Sequence, residues 1–78
     1  MLMQKDHNKQ AQIDRLRAYL LTGRSINPLE AWKTLGIYRL SARVFELREQ
    51  GEKVVGEFIE VHNHFGEKCF VKAYRMEA

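Results

Sequence analysis

The chain has 78 residues, a formal net charge of +3, one cysteine and 45% hydrophobic residues. A chain this short makes one small domain that buries only about 60% of its unfolded surface, so a deep catalytic cleft is not expected and oligomerisation is. A lone cysteine excludes an internal disulfide framework, Met1 to Gln12 lacks the apolar run of a signal peptide, and no segment has the length of a membrane span, so a reducing, cytoplasmic setting with no membrane partner is the expectation.

Residues 1–8 read as a flexible polar leader and 9–78 as the domain. A helical pattern begins at Lys9. Ile13, Leu16 and Leu20 recur on one face, with Arg15 and Arg17 turned away. Gly23 is a C-terminal stop, with Arg24 beyond it. Ser25-Ile26-Asn27-Pro28 reads as a cap, with Asn27 at N-cap, Pro28 at the first helical position and Glu30 in the first turn. Ile26 is placed to form a minimal strand. The second helix runs through Trp32 to Leu35 and stops at Gly36.

After the short turn Gly36-Ile37-Tyr38, a third helix is expected from Arg39 to Gln50. Leu40, Val44 and Leu47 share one face, with Ile37 alongside. Tyr38, Arg39, Ala42, Glu46 and Glu49 face away. Gly51 ends this helix, and the period then changes to two. Val54 to Val61 and Lys68 to Met76 are rich in β-branched and aromatic residues, and His62 to Glu67 is a turn segment. The second strand does not alternate cleanly: Cys69 and Val71 share one face, Tyr74 and Met76 the other. Either a bulge near Lys72-Ala73 brings all four to the core, or the strand is covered on both faces.

The expected fold class is therefore α+β, a winged helix-turn-helix with three helices followed by a two-stranded β-hairpin wing. The third helix follows the second after about three residues, as a helix-turn-helix requires. Charge is unevenly spread along this plan. Met1 to Arg43 carries +5, Val44 to Glu67 carries −4, and Lys68 to Ala78 carries +2. The mild total permits nucleic acid without demanding it, and the acidic belt is the feature a DNA reading must accommodate.

Ser25-Ile26-Asn27-Pro28-Leu29-Glu30-Ala31, then Leu35-Gly36-Ile37-Tyr38-Arg39-Leu40-Ser41-Ala42-Arg43-Val44-Phe45-Glu46-Leu47-Arg48, then Gly51, resembles the short helix-turn-helix proteins of bacteriophages and prophages. The closing Tyr74-Arg75-Met76 fits the same pattern. The resemblance covers about Ile13 to Met76. It implies a small winged-helix DNA-binding or regulatory protein in the cytoplasm of a bacterial host. One departure is visible. The small residue that usually sits four before the turn glycine is Trp32 here, with Ala31 one step earlier.

The third helix reads as a recognition helix. The major groove admits a helix, whose N-terminal residues reach base edges. Arg39 matches the guanine O6 and N7 acceptors, and Ala42 is small enough for close approach. Tyr38 and Ser41 are placed for phosphates, which position without specifying. Arg43 lies nearer the core flank and either joins them or pairs with Glu46 or Glu30. Glu46 and Glu49 repel phosphate unless only the first turns enter the groove. At the wing tip Asn63, His64 and Lys68 are placed for the minor groove or backbone, against the alternative of a solvated loop. Phe65 is costly there unless it packs locally or meets a partner.

No enzyme is expected, and no cofactor. His62-Asn63-His64 spells the letters of a nuclease motif, but those residues belong to a whole ββα unit, not three neighbours. His62 and His64 have only Cys69 as a further ligand, short of the four a structural zinc site takes, so no metal is expected. Cys69 reads as a small buried hydrophobe and Trp32 as core or helix packing, with an interface anchor as its alternative. His7 has no visible role. Double-stranded DNA is the expected partner, bound as a homodimer on a two-fold site. The alternatives are a protein-interaction module, such as a host-directed inhibitor that binds a host protein, and an excisionase-like architectural DNA binder.

Overall fold

The computed structural model describes residues 5–77, and side chains from residue 9. The elements are α1 (Lys5–Leu20), α2 (Pro28–Glu30), a π-helical segment that continues it (Ala31–Leu35), α3 (Leu40–Glu49), β1 (Val54–His62) and β2 (Lys68–Met76). The first helix thus begins four residues before the expected Lys9, and residues 5–8 of the expected leader are helical backbone. Residues 1–4 lie outside the described residues.

α1 stops where glycine permits it. The Gly23 N–H bonds the Leu20 carbonyl at 3.0 Å, and Gly23 itself sits at φ 91, a region that only glycine enters freely. α2 opens on a reciprocal cap. The Asn27 side chain accepts from the Glu30 N–H at 2.9 Å, and the Glu30 carboxylate accepts from the Asn27 N–H at 3.1 Å, with Pro28 in the first turn. Two otherwise unpaired helix donors are satisfied this way. Asn27→Ala is expected to cost about 1 kcal/mol, read as a lower urea midpoint at unchanged m-value.

The π-helical segment resolves the displaced small residue. Its wide turn lets the Gly36 N–H reach the Ala31 carbonyl, and the Ile37 N–H also bonds Ala31 O at 3.0 Å. One residue more than an α-turn is thereby accommodated before Gly36. Ala31, not Trp32, becomes the fully buried residue, while Trp32 is 57% exposed. The expectation that Trp32 is core is corrected on that account.

The core is assembled from Ile13, Leu16 and Leu20 of α1, Ile26, Ala31, Ile37, the α3 face Leu40, Val44 and Leu47, and Val54 and Tyr74 of the hairpin. All three α3 residues named from the sequence are buried. Ile26 forms the expected minimal strand: its N–H and C=O exchange bonds of 2.8 Å with Tyr74.

β1 and β2 pair antiparallel in unbroken register, from Val54 opposite Met76 to His62 opposite Lys68. There is no bulge at Lys72-Ala73, and β2 uses both faces. Tyr74 turns to the helical core with Met76 packed beside it. Cys69 and Val71, on the other face, are half-buried and line a groove of about 390 Å³ with Asn27, Leu29, Glu30 and Val61. Cys69 is therefore not a fully buried hydrophobe. Gly56 lies opposite Tyr74, where a Cβ would stand 3.0 Å from the Tyr74 ring and 2.9 Å from the end of the Lys72 side chain, so both would have to give way.

Candidate nucleic-acid interface

The turn and α3 place the predicted residues in two groups. Tyr38, Arg39 and Ser41 are exposed and Ala42 is half-buried at the start of α3. Tyr38 is 79% exposed, and its ring meets Trp32 edge to face at 6.0 Å. α3 begins without a side-chain cap, since Arg39 at the N-cap position makes no capping bond. Its guanidinium appears in no ion pair or hydrogen bond among the described residues.

Arg43 belongs to the second group. Its Nε lies 2.9 Å from Glu46 Oε1, and Glu46 Oε2 lies 2.9 Å from Lys9 Nζ. The Arg43–Glu46 pair is a charge contact and not an aligned hydrogen bond, since neither of those atoms has a partner in hydrogen-bond geometry. Of the two carboxylates open to Arg43, Glu46 is the one it meets. Glu46 itself, expected to face away, is largely covered beside α1. Its negative charge is neutralised from two sides. The acidic end of α3 is therefore reduced, on its outward side, to Glu49.

Other arginines are also spent internally. Arg15 Nε donates to the Leu35 carbonyl at 2.9 Å. Arg17 bonds Glu52 at 3.1 Å, Asp14 at 3.2 Å, and Gln50. Both point away from the apolar face, as the helical wheel places them, and these bonds hold them there. Arg48 donates from Nε and NH2 to the Val54 carbonyl, at 3.0 and 2.8 Å, and fixes the corner between α3 and β1. Lys33 and Arg39 remain exposed beside the Trp32–Tyr38 pair.

At the wing tip, Asn63 builds the turn. Its Oδ1 accepts from the N–H groups of Phe65 and Glu67 at 2.9 and 3.0 Å, and its Nδ2 donates to Glu67 Oε1 at 2.9 Å. His64 and Lys68 are exposed. Phe65 is 75% exposed and packs locally on His64, ring centres 4.2 Å apart. Sequence reasoning passed over Phe45, which stands 59% exposed on the outward face of α3, one turn beyond Ser41 and Ala42. The helical wheel that assigned its neighbours outward contains the same signal.

Three helices, an Ile26 bridge and a two-stranded wing define a winged helix-turn-helix protein, with α3 where such proteins carry their recognition helix. The chain belongs to the winged helix-turn-helix domain family, whose model matches residues 11–74. The match supports DNA as a ligand. No curated protein and no solved structure matches at a significant level. Among the described residues no helix is long and apolar enough to cross a membrane, and no group of three metal-ligating side chains is brought together.

Proposed function

We propose that the protein is a sequence-specific duplex-DNA binder, of the phage type, that regulates transcription as a homodimer. The N-terminal turns of α3 enter the major groove, and the wing lies on the flanking backbone or minor groove. The observation that carries this reading is the composition of the outward α3 face. Arg39, Ser41 and Ala42 are available on it, while Glu46 is turned aside and neutralised by Lys9 and Arg43. Arg39 reads guanine, Ala42 permits close approach, and Tyr38, Ser41, Lys33, His64 and Lys68 serve the phosphates. Arg43 supports the interface by helping to neutralise Glu46, which Lys9 ties to α1, and Asn63 by shaping the wing tip.

The test is selection from a randomised duplex library, followed by fluorescence anisotropy on the recovered site. Affinity is expected to fall with salt. Arg39→Ala is expected to weaken specific binding by about 1–3 kcal/mol. Failure to retain any duplex at low salt overturns the proposal.

A second reading is favoured by one observation. Trp32 and Tyr38 are large, exposed and in edge-to-face contact, and Phe45 is exposed on α3, the composition of an interface anchor. A host-directed inhibitor would use this patch. It predicts capture of a host protein that survives nuclease treatment and is lost in Trp32→Ala. An excisionase-like architectural role predicts DNA bending with little effect on transcription.

A further inference from the structure

The wing carries an apolar face that the chain leaves uncovered. Along that face the core ends at Val54, Tyr74 and Met76. Beyond them the register sets Phe58 opposite Lys72 and Glu60 opposite Phe70. Directly opposed residues in an antiparallel pair point to the same side, so these four form one patch. Phe58 is 69% and Phe70 64% exposed. Lys72 Nζ stands 5.6 Å from the Phe58 ring centre and 5.9 Å from that of Tyr74. The aromatics occupy one diagonal of the patch and the opposite charges occupy the other.

We propose that this face joins two copies of the chain across a two-fold axis laid along the Phe58–Phe70 diagonal. An isologous contact needs a surface complementary to itself. Rotation about that diagonal returns aromatic onto aromatic. It also carries Glu60 of each copy over Lys72 of the other, so both charge pairs are satisfied at once. An axis parallel to the strands instead sets Glu60 against Phe70 and Phe58 against Lys72, and one perpendicular to them sets Glu60 against Phe58 and Phe70 against Lys72, so each aromatic meets a charge. With strands ~4.8 Å apart and ~3.4 Å of rise per residue, the diagonal inclines ~35° to the strands, and the two hairpins cross at ~70°, toward the orthogonal class of sheet packing. The patch is smaller than the ~800 Å² per partner of a standard interface, so the dimer forms at micromolar concentrations or above.

Sedimentation equilibrium of the full chain over a broad concentration range tests this, without DNA and so independently of the DNA reading. The expected result is a reversible monomer–dimer equilibrium. Glu60→Lys alone and Lys72→Glu alone each set like charges against one another at two symmetry-related places, and each is expected to weaken dimerisation by about tenfold or more. The double swap Glu60→Lys with Lys72→Glu restores the pairs and is expected to return affinity to near wild type. Circular dichroism melts report whether each variant folds. Glu60 is exposed and far from the core, so its variant keeps the test informative if Lys72→Glu disturbs Tyr74. A wild-type chain that stays monomeric overturns the proposal. So does a dimer indifferent to Glu60→Lys, which places the contact elsewhere, for instance on the exposed Trp32–Tyr38 pair. Failure of the double swap to recover what Glu60→Lys loses overturns it as well.

Discussion

Tyr74→Ala is expected to cost about 3–5 kcal/mol, measured as the loss of unfolding free energy in urea at fixed m-value. A domain of 78 residues has roughly 4–12 kcal/mol to lose, at about 0.05–0.15 kcal/mol per residue, so this one change leaves the chain marginally folded. The size of the effect follows from what surrounds the ring. Tyr74 is 7% exposed, and its backbone stands between Ile26 on one side and Gly56 on the other. The ring lies over Gly56, which has no side chain with which to refill the space. A cavity that cannot collapse is the costly kind. Tyr74→Phe keeps the ring and is expected to fall within about 1 kcal/mol of wild type. A loss below about 1 kcal/mol in the alanine variant would mean that the hairpin base does not depend on this ring.

The same region shows where sequence reasoning succeeds and where it stops. The α3 face Leu40, Val44 and Leu47 is legible because a helix buries one stripe, and that stripe repeats every three to four residues. The Asn27-Pro28-Glu30 cap is legible because each residue type has its own chemical reason to be there. β2 is less so. Period two places Tyr74 and Met76 opposite Cys69 and Val71, and only a three-dimensional partner decides which face meets the core. The core takes the Tyr74 face, and the start of α2 flanks the other. A bulge was one way to reconcile the pattern, and a strand used on both faces was the other.

The candidate site follows the same division. Tyr38, Arg39 and Ser41 are exposed as the sequence suggests. The fate of a charge is less legible. Arg15, Arg17, Arg43 and Arg48 look interchangeable along the chain, yet each finds a fixed partner: a helix-end carbonyl, the Glu52 corner, Glu46, and the Val54 carbonyl. Arg43–Glu46 is an i,i+3 pair legible in the sequence, but the other three choose among acceptors brought together by the fold, which sequence separation does not encode. The net charge of +3 therefore overstates the basic helical half as a DNA surface. Among the described residues of that half, Lys33, Arg39 and Arg24 are in no ion pair or hydrogen bond, Arg24 being set over the Tyr19 ring, and Lys68 is exposed on the wing. So few free cations on the helical half are a weak phosphate-binding set for one copy, which makes a second copy matter.

Ile37→Ala is expected to cost about 2–5 kcal/mol, and to impair DNA binding by more than its loss of stability explains. Ile37 is fully buried in the turn between the helices, and its N–H bonds the Ala31 carbonyl across the π-helical segment. Its side chain joins the core at the turn from which α3 leaves, where it is expected to act as the wedge that sets the angle of α3. The π-turn is what lets Ala31 occupy the crossing in place of Trp32, and that arrangement is held from the other side by Ile37 and by the left-handed Gly36 at φ 69. Removing the wedge leaves α3 attached through Leu40, Val44 and Leu47 but freer to tilt. Tyr38→Ala is the control. It sits one residue later, 79% exposed, and is expected to change stability by no more than about 0.5 kcal/mol. Under conditions where both variants are folded by circular dichroism, Tyr38→Ala should lose only the phosphate contact proposed for it. Ile37→Ala should lose discrimination between the selected site and random duplex, because a helix held at the wrong angle still meets phosphates while missing base edges. An Ile37→Ala protein that is destabilised yet discriminates as well as wild type would show that the core face of α3 alone sets its angle.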